Sequence, residues 1–333
     1  MLQRTGFSAV ERSLIRGEWI DASTLDTLTN WYPVIITKQT NEVVWRDMGQ
    51  ARFTASFFQN SLDAQDTTQR RVCKTNVAAL AKIQNYVKPS AFIFHVSRCG
   101  STLLTQMLSS LERCIVLSEP PVVDIFFRNY CVDPDVNEEQ LQIFRQLIAA
   151  LGQKRFDQEA HLIIKLDSWH ISRLDFIRRA FPHVPMYFLY RQPQEVLASH
   201  QKQRGPQMIP HFIDMGNLAI DQTDLQVSDL DGYCLRVLDQ YFQTAVHQAK
   251  SHRLELINYT QLPQFVWESL LHDLNIQSTE NEMQNLRQRA TFHSKHPQQN
   301  FSEKIVEQLP HACLSFTHSL YEQLENMRIT QTA

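Results

Sequence analysis

One stretch constrains the fold more than any other: residues 91–111 read AFIFHVSRCGSTLLTQMLSSL. An apolar run of strand length ends in a short turn of mostly small residues, and leucines at helical spacing follow the turn. Backbone amides at such a turn can face an anion, and the helix N-terminus adds partial positive charge. The stretch therefore predicts an anion-binding loop at the end of a buried strand, with Arg98 as a fixed cation.

The loop lacks the GxxxxGK[ST] spacing and the lysine of an ordinary nucleoside-triphosphate loop. That difference disfavours a common ATP- or GTP-binding protein. Taken alone, the stretch also fits a strand-to-helix turn with an incidental arginine, so a second signal is needed.

Short apolar runs separated by helical segments continue through the rest of the chain. Runs of this kind are typical of a parallel sheet covered on both faces, so we predict a three-layer α/β fold of the P-loop type. Ligands of such sheets bind beyond the carboxyl ends of the strands. The predicted strands are 91–96, 114–117, 161–166, 184–190 and 254–259, and the predicted helices are 137–152, 170–180, 194–204 and 232–251.

The residues before this pattern, 1–88, are predicted to form a small α+β extension, and 89–333 the main domain. Within the extension, 33–47 contains two short strand-like runs around a polar turn at 39–41, which predicts a β-hairpin. The apolar spacing of 51–87 predicts helix.

A second signal is VPMYFLYRQPQEVLASH at 184–200. A buried strand ends at Arg191, Pro193 fits the first turn of a helix, and Ser199 follows eight residues after the arginine. A strand-end arginine and a hydroxyl on the next helix can converge on one phosphate. The alternative is a solvated arginine, but two such elements in this order are more specific than either alone.

At these two segments the sequence resembles the sulfotransferase family, in particular a bacterial-type branch with a glutamate base. SRCGSTLL is similar to the family's 5′-phosphosulfate-binding loop, with a cysteine where serine is commoner, and the Arg-x-Pro segment is similar to its 3′-phosphate-binding element. The resemblance implies 3′-phosphoadenosine 5′-phosphosulfate as donor substrate, held by Ser97, Arg98, Cys99, Gly100, Ser101, Thr102, Arg191 and Ser199.

The resemblance also implies catalytic residues. Glu119, after the short run CIVL, matches the glutamate that accepts the acceptor's proton, and Lys165 matches a strand-end lysine that contacts the leaving phosphosulfate. Lysine in an otherwise buried strand independently indicates an anion or a cleft. Many family members have a histidine two residues after that lysine; here Asp167 stands there, and His170 follows. The base therefore remains open among Glu119, Asp167 and His170, and an alternative role for Glu119 is to initiate the next helix.

Two further residues complete the implied donor site. Tyr259, in LELINYTQL, matches a tyrosine that approaches the adenine, although core packing is an equal alternative. Lys295, in TFHSKHPQQNF, is a weak counterpart of a late basic loop over the 3′-phosphate.

Composition limits the partners. Lys plus Arg number 32 against 35 Asp plus Glu, a net charge of -3, so no nucleic-acid or anionic-membrane partner is predicted. Six dispersed cysteines and 13 scattered histidines show no metal-ligand spacing, and no metal is predicted. No signal peptide or membrane span is evident in the sequence, which predicts a cytoplasmic protein.

The sequence predicts a sulfotransferase acting on a hydroxyl or amine of a small-molecule, peptide or carbohydrate acceptor. Two alternatives stay open. One is a nucleotide-dependent kinase or other phosphotransferase on a P-loop fold, and the other is a non-catalytic protein that binds an adenosine bisphosphate. Neither the acceptor nor the oligomeric state follows from the sequence.

Overall fold

The computed structural model describes residues 8–331 apart from 133–134, 214, 216–217, 219, 224–225, 227, 252–253 and 293–310. The chain divides into two compact units. The first contains Met1–Ser90, Ser109–Ile164 and Phe176–Pro182, and the second contains Ala91–Leu108, Lys165–Asp175 and His183–Ala333. None of the helices in the described part of the chain is long and apolar enough to cross a bilayer.

A four-stranded sheet forms in the N-terminal part of the first unit. Its strands are β1 Glu18–Trp19, β2 Trp31–Thr37, β3 Glu42–Asp47 and β4 Arg71–Asn76, in the order β1-β4-β3-β2. Strands β2 and β3 pair antiparallel, and Asn41 in their turn adopts a left-handed backbone (φ 54°), which asparagine tolerates well. The predicted hairpin is confirmed. Two short helices, α1 Ala9–Leu14 and α2 Phe58–Asp63, accompany the sheet.

The prediction of helix throughout 51–87 was wrong. Only α2 is an α-helix there, followed by strand β4 and a 3-10 turn at Val77–Lys82. Strand β4 pairs antiparallel with β3, whose other edge β2 already occupies. The free edge of β3 forms backbone hydrogen bonds with 71–76, and this pairing makes the segment a strand. The apolar spacing of the segment is compatible with a helix or a strand, so the tertiary pairing decides between them.

The second sheet confirms the predicted α/β class. Its strands are β5 Pro89–His95, β6 Cys114–Ser118, β7 His161–Lys165, β8 Met186–Tyr190 and β9 Glu255–Asn258, in the order β6-β7-β5-β8-β9. Strand β8 pairs in parallel with both β5 and β9. Helices alternate with the strands along the chain, as required for crossover connections between parallel strands.

The remaining helices include the four predicted segments, of which 170–180 begins as a 3-10 turn, Ser168–Arg173, and four helices that were not predicted, at 121–130, 271–273, 280–290 and 314–331. They are α3 Ser101–Ser109, α4 Pro121–Tyr130, α5 Glu138–Leu151, α6 Leu174–Ala180, α7 Pro193–Lys202, α8 Leu230–Ala249, α9 Leu271–Asp273, α10 Glu280–Ala290 and α11 Leu314–Gln331. A π-helical turn, Val266–Leu270, precedes α9.

An aromatic cluster forms part of the core of the first unit. The Phe126 ring stacks on Tyr130 at 5.1 Å between centroids and lies 5.1 Å from Phe144. Phe127 meets Phe144 at 5.4 Å and Phe176 edge-on at 5.5 Å. Their mutual stacking and burial show that they belong to the core.

In the second unit, helix α11 is anchored to the central strands through one carboxylate. Tyr190, at the end of β8, donates a hydrogen bond to Glu325, and Arg328 Nη2 lies 2.9 Å from Glu325 Oε2. Burial by itself raises the pKa of Glu325, but hydrogen bonds from Arg328, Tyr190 and Asn258 outweigh it and hold the pKa below its usual value. The ionised carboxylate therefore stabilises the docked helix.

We expect Glu325→Gln to lower the unfolding temperature by about 1.5 °C near pH 7, corresponding to about 1 kcal/mol. The folded-state pKa lies below the unfolded one, so this contribution is present above the unfolded pKa and is lost as the pH falls through the folded pKa. Thermal unfolding from pH 7 to pH 3 should show the wild-type and variant midpoints converging in acid. Glu322→Gln, at an exposed position on the same helix, is the matched control and should change little.

Candidate anion-binding site

The loop after strand β5 has an unusual backbone. Ser97, Arg98 and Gly100 have positive φ angles of 68°, 52° and 83°, and two of them are not glycine. The Ser97 amide donates to His95 Nδ1 at 2.9 Å, which fixes the start of the turn. Left-handed residues in succession, followed by the N-terminus of α3, make the kind of concave amide arrangement that binds anions.

Gly100 is required at its position for two separate reasons. Its φ of 83° is unfavourable for a side chain, and a Cβ there would lie 2.8 Å from both Tyr259 Cδ2 and Leu262 Cδ1. The backbone of the loop thus packs directly against the segment that follows β9. The sequence predicted a turn of mostly small residues, and the structure adds the close approach of Tyr259 and Leu262.

Cys99 fills the inside of the loop. Its side chain is completely buried, and burial raises the pKa of the thiol despite hydrogen bonds from the backbone at Val96 and Ser101 and the nearby Lys165 charge. A neutral, inaccessible thiol is a packing group rather than a nucleophile. Cys99 therefore contributes to the predicted loop through its buried side chain, which packs the inside of the turn, and through its backbone.

Lys165 is the most informative charged residue of the site. It is the last residue of β7, is 0% exposed, and its Nζ lies 3.5 Å from Thr102 Oγ1 in the first turn of α3. An ammonium group buried in this way is costly unless an anion shares the site. The structure thus brings the predicted lysine to the predicted loop.

Arg98, predicted as the fixed cation of the loop, also has a protein partner. Its Nη2 donates a 2.6 Å hydrogen bond to the carbonyl of Gln203, the residue that caps the C-terminus of α7. Partial burial lowers the pKa of the guanidinium, while the carbonyl end of the helix favours its charge. Arg98 links the loop to α7, and its contact with a ligand stays a prediction.

The second predicted phosphate element lies beside the first. Tyr190 is paired with Asn258 in the β8-β9 ladder, so the next residues, Arg191 and Tyr259, emerge side by side. The Arg191 guanidinium carbon lies 4.0 Å from the centroid of the Tyr259 ring, and Arg191 Nε donates to Glu195 Oε2 at 2.6 Å. The arginine is held between an aromatic face and a carboxylate.

Ser199 lies on α7, is partly buried, and is four residues after Glu195. Residues four apart share one face of a helix, so Ser199 lies on the side that carries the Arg191 partner. The convergence of Arg191 and Ser199 on one phosphate remains a prediction.

The two alternative bases in the second unit, Asp167 and His170, come two and five residues after Lys165. Asp167 precedes the 3-10 turn and His170 lies within it, with Asp167 Oδ2 3.8 Å from His170 Nδ1. His170 is 2% exposed. The short turn places a carboxylate and an imidazole within one turn of the buried lysine.

Glu119 belongs to the first unit. It follows β6 with a left-handed backbone (φ 55°), and Pro120, not Glu119, is the N-cap residue of α4. Glu119 therefore lies one residue before the N-cap, and its alternative role in initiating α4 stays a prediction. Its role as a base stays a prediction.

Sequence reasoning missed two polar contacts of the site, and one of the residues that it predicted is not among those that the structure describes. The Glu195 partner of Arg191 could have been found from its i,i+4 spacing on a predicted helix. No sequence signal pointed to Arg289, whose Nη2 donates to Gln106 Oε1 of α3 at 3.0 Å. Lys295 lies outside the described residues.

A cavity of about 430 Å³ lies elsewhere, in the first unit, between segments 25–29 and 82–85 and the residues Gln153 and Lys154. None of the predicted site residues lines it. In the described part of the chain, no group of three or more His, Cys, Asp or Glu residues is arranged to hold a metal ion.

Comparison with known proteins gives the following. No protein-family model and no curated protein matches the chain. Solved structures that resemble it include the sulfotransferase domain from the curacin biosynthetic pathway (17% identity, 72% of this chain, 99% of that one, TM-score 0.45), a sulfotransferase from Mycobacterium avium (10%, 76%, 78%, 0.47) and a sulfotransferase from Alicyclobacillus acidocaldarius (12%, 73%, 96%, 0.40).

We predict that Gly100→Ala disrupts the loop. The left-handed backbone and the clash with Tyr259 and Leu262 together should lower the free energy of unfolding by about 3 kcal/mol. Gly49→Ala is the matched control, because Gly49 also has a positive φ (52°) but nothing within 4 Å of an added Cβ. That variant should lose only about 1 kcal/mol.

Denaturant unfolding measures the two free energies. Equal losses for Gly100→Ala and Gly49→Ala would show that backbone strain alone matters at residue 100, and that the loop is not packed against Tyr259.

Proposed function

We propose that the protein is a sulfotransferase that moves a sulfuryl group from 3′-phosphoadenosine 5′-phosphosulfate to a hydroxyl or amine. The observation that carries the proposal is the juxtaposition of two anion-binding elements in one unit. The amide-rich loop at 97–102 and Arg191 both follow strands of one parallel set, and the Tyr259 ring contacts both. A ligand with two separate anionic groups fits such a pair.

The residues present suit the donor. The loop and the N-terminus of α3 would hold its 5′-phosphosulfate, with Lys165 beside Thr102 as a buried counter-charge. Arg191 and Ser199 would hold the 3′-phosphate. Glycine at position 100 lets the backbone of the loop pack closely against Tyr259, which keeps the loop beside Arg191.

In the proposed reaction, an acceptor oxygen or nitrogen forms a bond to sulfur while the bond between sulfur and the 5′-phosphate oxygen breaks. Glu119 takes the acceptor's proton, and adenosine 3′,5′-bisphosphate leaves carrying the bond's electron pair on its phosphate oxygen. Lys165 and Arg98 stabilise the charge that develops on that oxygen. Asp167 and His170 are the rival bases, since both follow Lys165 closely.

The acceptor class is left open within the proposal: a small molecule, a peptide or a carbohydrate. The proposal includes a cytoplasmic location, on the sequence arguments above, and no metal requirement, as the resemblance implies.

The donor site is tested by calorimetric titration with adenosine 3′,5′-bisphosphate, adenosine 5′-phosphate and magnesium ATP. We expect the bisphosphate to bind best, and Arg191→Ala to weaken it about 30-fold while leaving adenosine 5′-phosphate nearly unchanged, since a charged hydrogen bond is lost. Arg287→Ala is the control, because Arg287 also lies near an aromatic ring, that of Trp267. Indifference to the 3′-phosphate, or preference for magnesium ATP, contradicts the proposal and favours a phosphotransferase.

The base is tested with Glu119→Gln, for which we expect about a 10³-fold loss of sulfuryl transfer with bisphosphate affinity unchanged. Asp167→Asn and His170→Gln are compared under the same conditions with a panel of hydroxyl and amine acceptors. A larger loss in either of these would transfer the role of base to that residue. Donor binding without transfer to any acceptor would favour a non-catalytic adenosine bisphosphate-binding protein.

A further inference from the structure

Tyr259 occupies a junction between the two anion-binding elements. One face of its ring carries the Arg191 guanidinium at 4.0 Å, and its edge lies 2.8 Å from where a Cβ of residue 100 would be. The same side chain therefore touches the 97–102 loop and the arginine.

The backbone at Tyr259 is held in place from several directions. Asn258, 1% exposed, accepts a hydrogen bond from the Thr260 amide at 2.9 Å and donates from Nδ2 to the Tyr321 hydroxyl at 2.8 Å. Its own amide donates to Gln261 Oε1 at 2.8 Å. The 3-10 turn that starts at Tyr259 is thus capped reciprocally, which fixes the ring relative to β9.

A solvated arginine side chain loses much rotamer freedom when it binds an anion. An arginine that already packs against an aromatic ring loses less. The Glu195 carboxylate accepts a hydrogen bond from the guanidinium, and the face of the Tyr259 ring packs against it. Together they hold Arg191 at one position relative to the loop, before any ligand arrives.

We infer that Tyr259 is a positioning residue, which sets the spacing between Arg191 and the 97–102 loop and so gives the site its selectivity for ligands with two phosphate groups. This inference rests on the proposed function. It differs from the sequence-based prediction that Tyr259 stacks on the adenine, because one ring face already carries the guanidinium.

The two roles predict different titrations. If Tyr259 acts through Arg191, Tyr259→Leu reduces the affinity ratio between adenosine 3′,5′-bisphosphate and adenosine 5′-phosphate about tenfold, while the 5′-phosphate affinity changes by less than about threefold. Tyr259→Phe keeps an aromatic face and should retain the wild-type ratio. If Tyr259 instead stacks on the base, Tyr259→Leu weakens both nucleotides equally and the ratio stays constant, which overturns the inference.

A double-mutant cycle tests independently whether Tyr259 acts through Arg191. Once Arg191→Ala has removed the guanidinium, adding Tyr259→Leu should change the ratio no further. Additive losses would show that Tyr259 acts independently of Arg191, and the inference would fail. Tyr259→Met, a flexible side chain of similar length without an aromatic face, replaces the leucine variant if that variant does not fold, as judged by circular dichroism and thermal unfolding.

The wild-type protein separates failure of this inference from failure of the proposed function. A wild type without preference for the 3′-phosphate removes the basis of both. A wild type with that preference, combined with an unchanged ratio in Tyr259→Leu, overturns the positioning role and leaves the donor assignment intact.

Discussion

The parallel register of β5, β8 and β9 is the constraint on which the site depends. His95 pairs with Leu189, and Leu189 with Ile257, so the three strands end in step. Whatever follows each strand emerges at the same edge: the 97–102 loop, Arg191 and Tyr259. A shift of register would move Arg191 away from Tyr259 and separate the two proposed anion-binding elements, because neighbouring side chains of a sheet interact only when their strands are aligned.

Two cationic side chains are buried or held close to the ends of these strands. Lys165 is fully enclosed beside Thr102, and Arg191 is held between Tyr259 and Glu195. Each cation costs folding free energy that a simple apolar packing would save. Lys165 lies beside the left-handed 97–102 loop, and Arg191 lies against the Tyr259 ring that contacts the same loop. An anion that binds there recovers part of this cost, which is the physical link between the strained loop and the proposed donor site.

Much of this was predictable because the motifs are local. The strand, turn and helix at 91–111 are set by apolar spacing and small residues, and the hairpin at 33–47 by two strand runs around a polar turn. Segment 51–87 was not predictable in the same way, because β4 exists through its pairing with β3. The contact of Arg98 with Gln203 and that of Arg289 with Gln106 join residues about 105 and 183 positions apart, which no local pattern encodes.

The sequence by itself determined the chemical groups available: a basic, amide-rich loop after one strand, an arginine before a proline-started helix after another, and a lysine in a buried strand. Each of these groups is identified from a few neighbouring residues. Only the tertiary structure decided which groups meet. Tyr259 contacts both Gly100 and Arg191 because parallel pairing aligns distant strand ends, and Glu119 and Lys165 fall in different units. Long-range pairing is a property of the whole sheet, so local sequence patterns supply the residues while the register sets their distances.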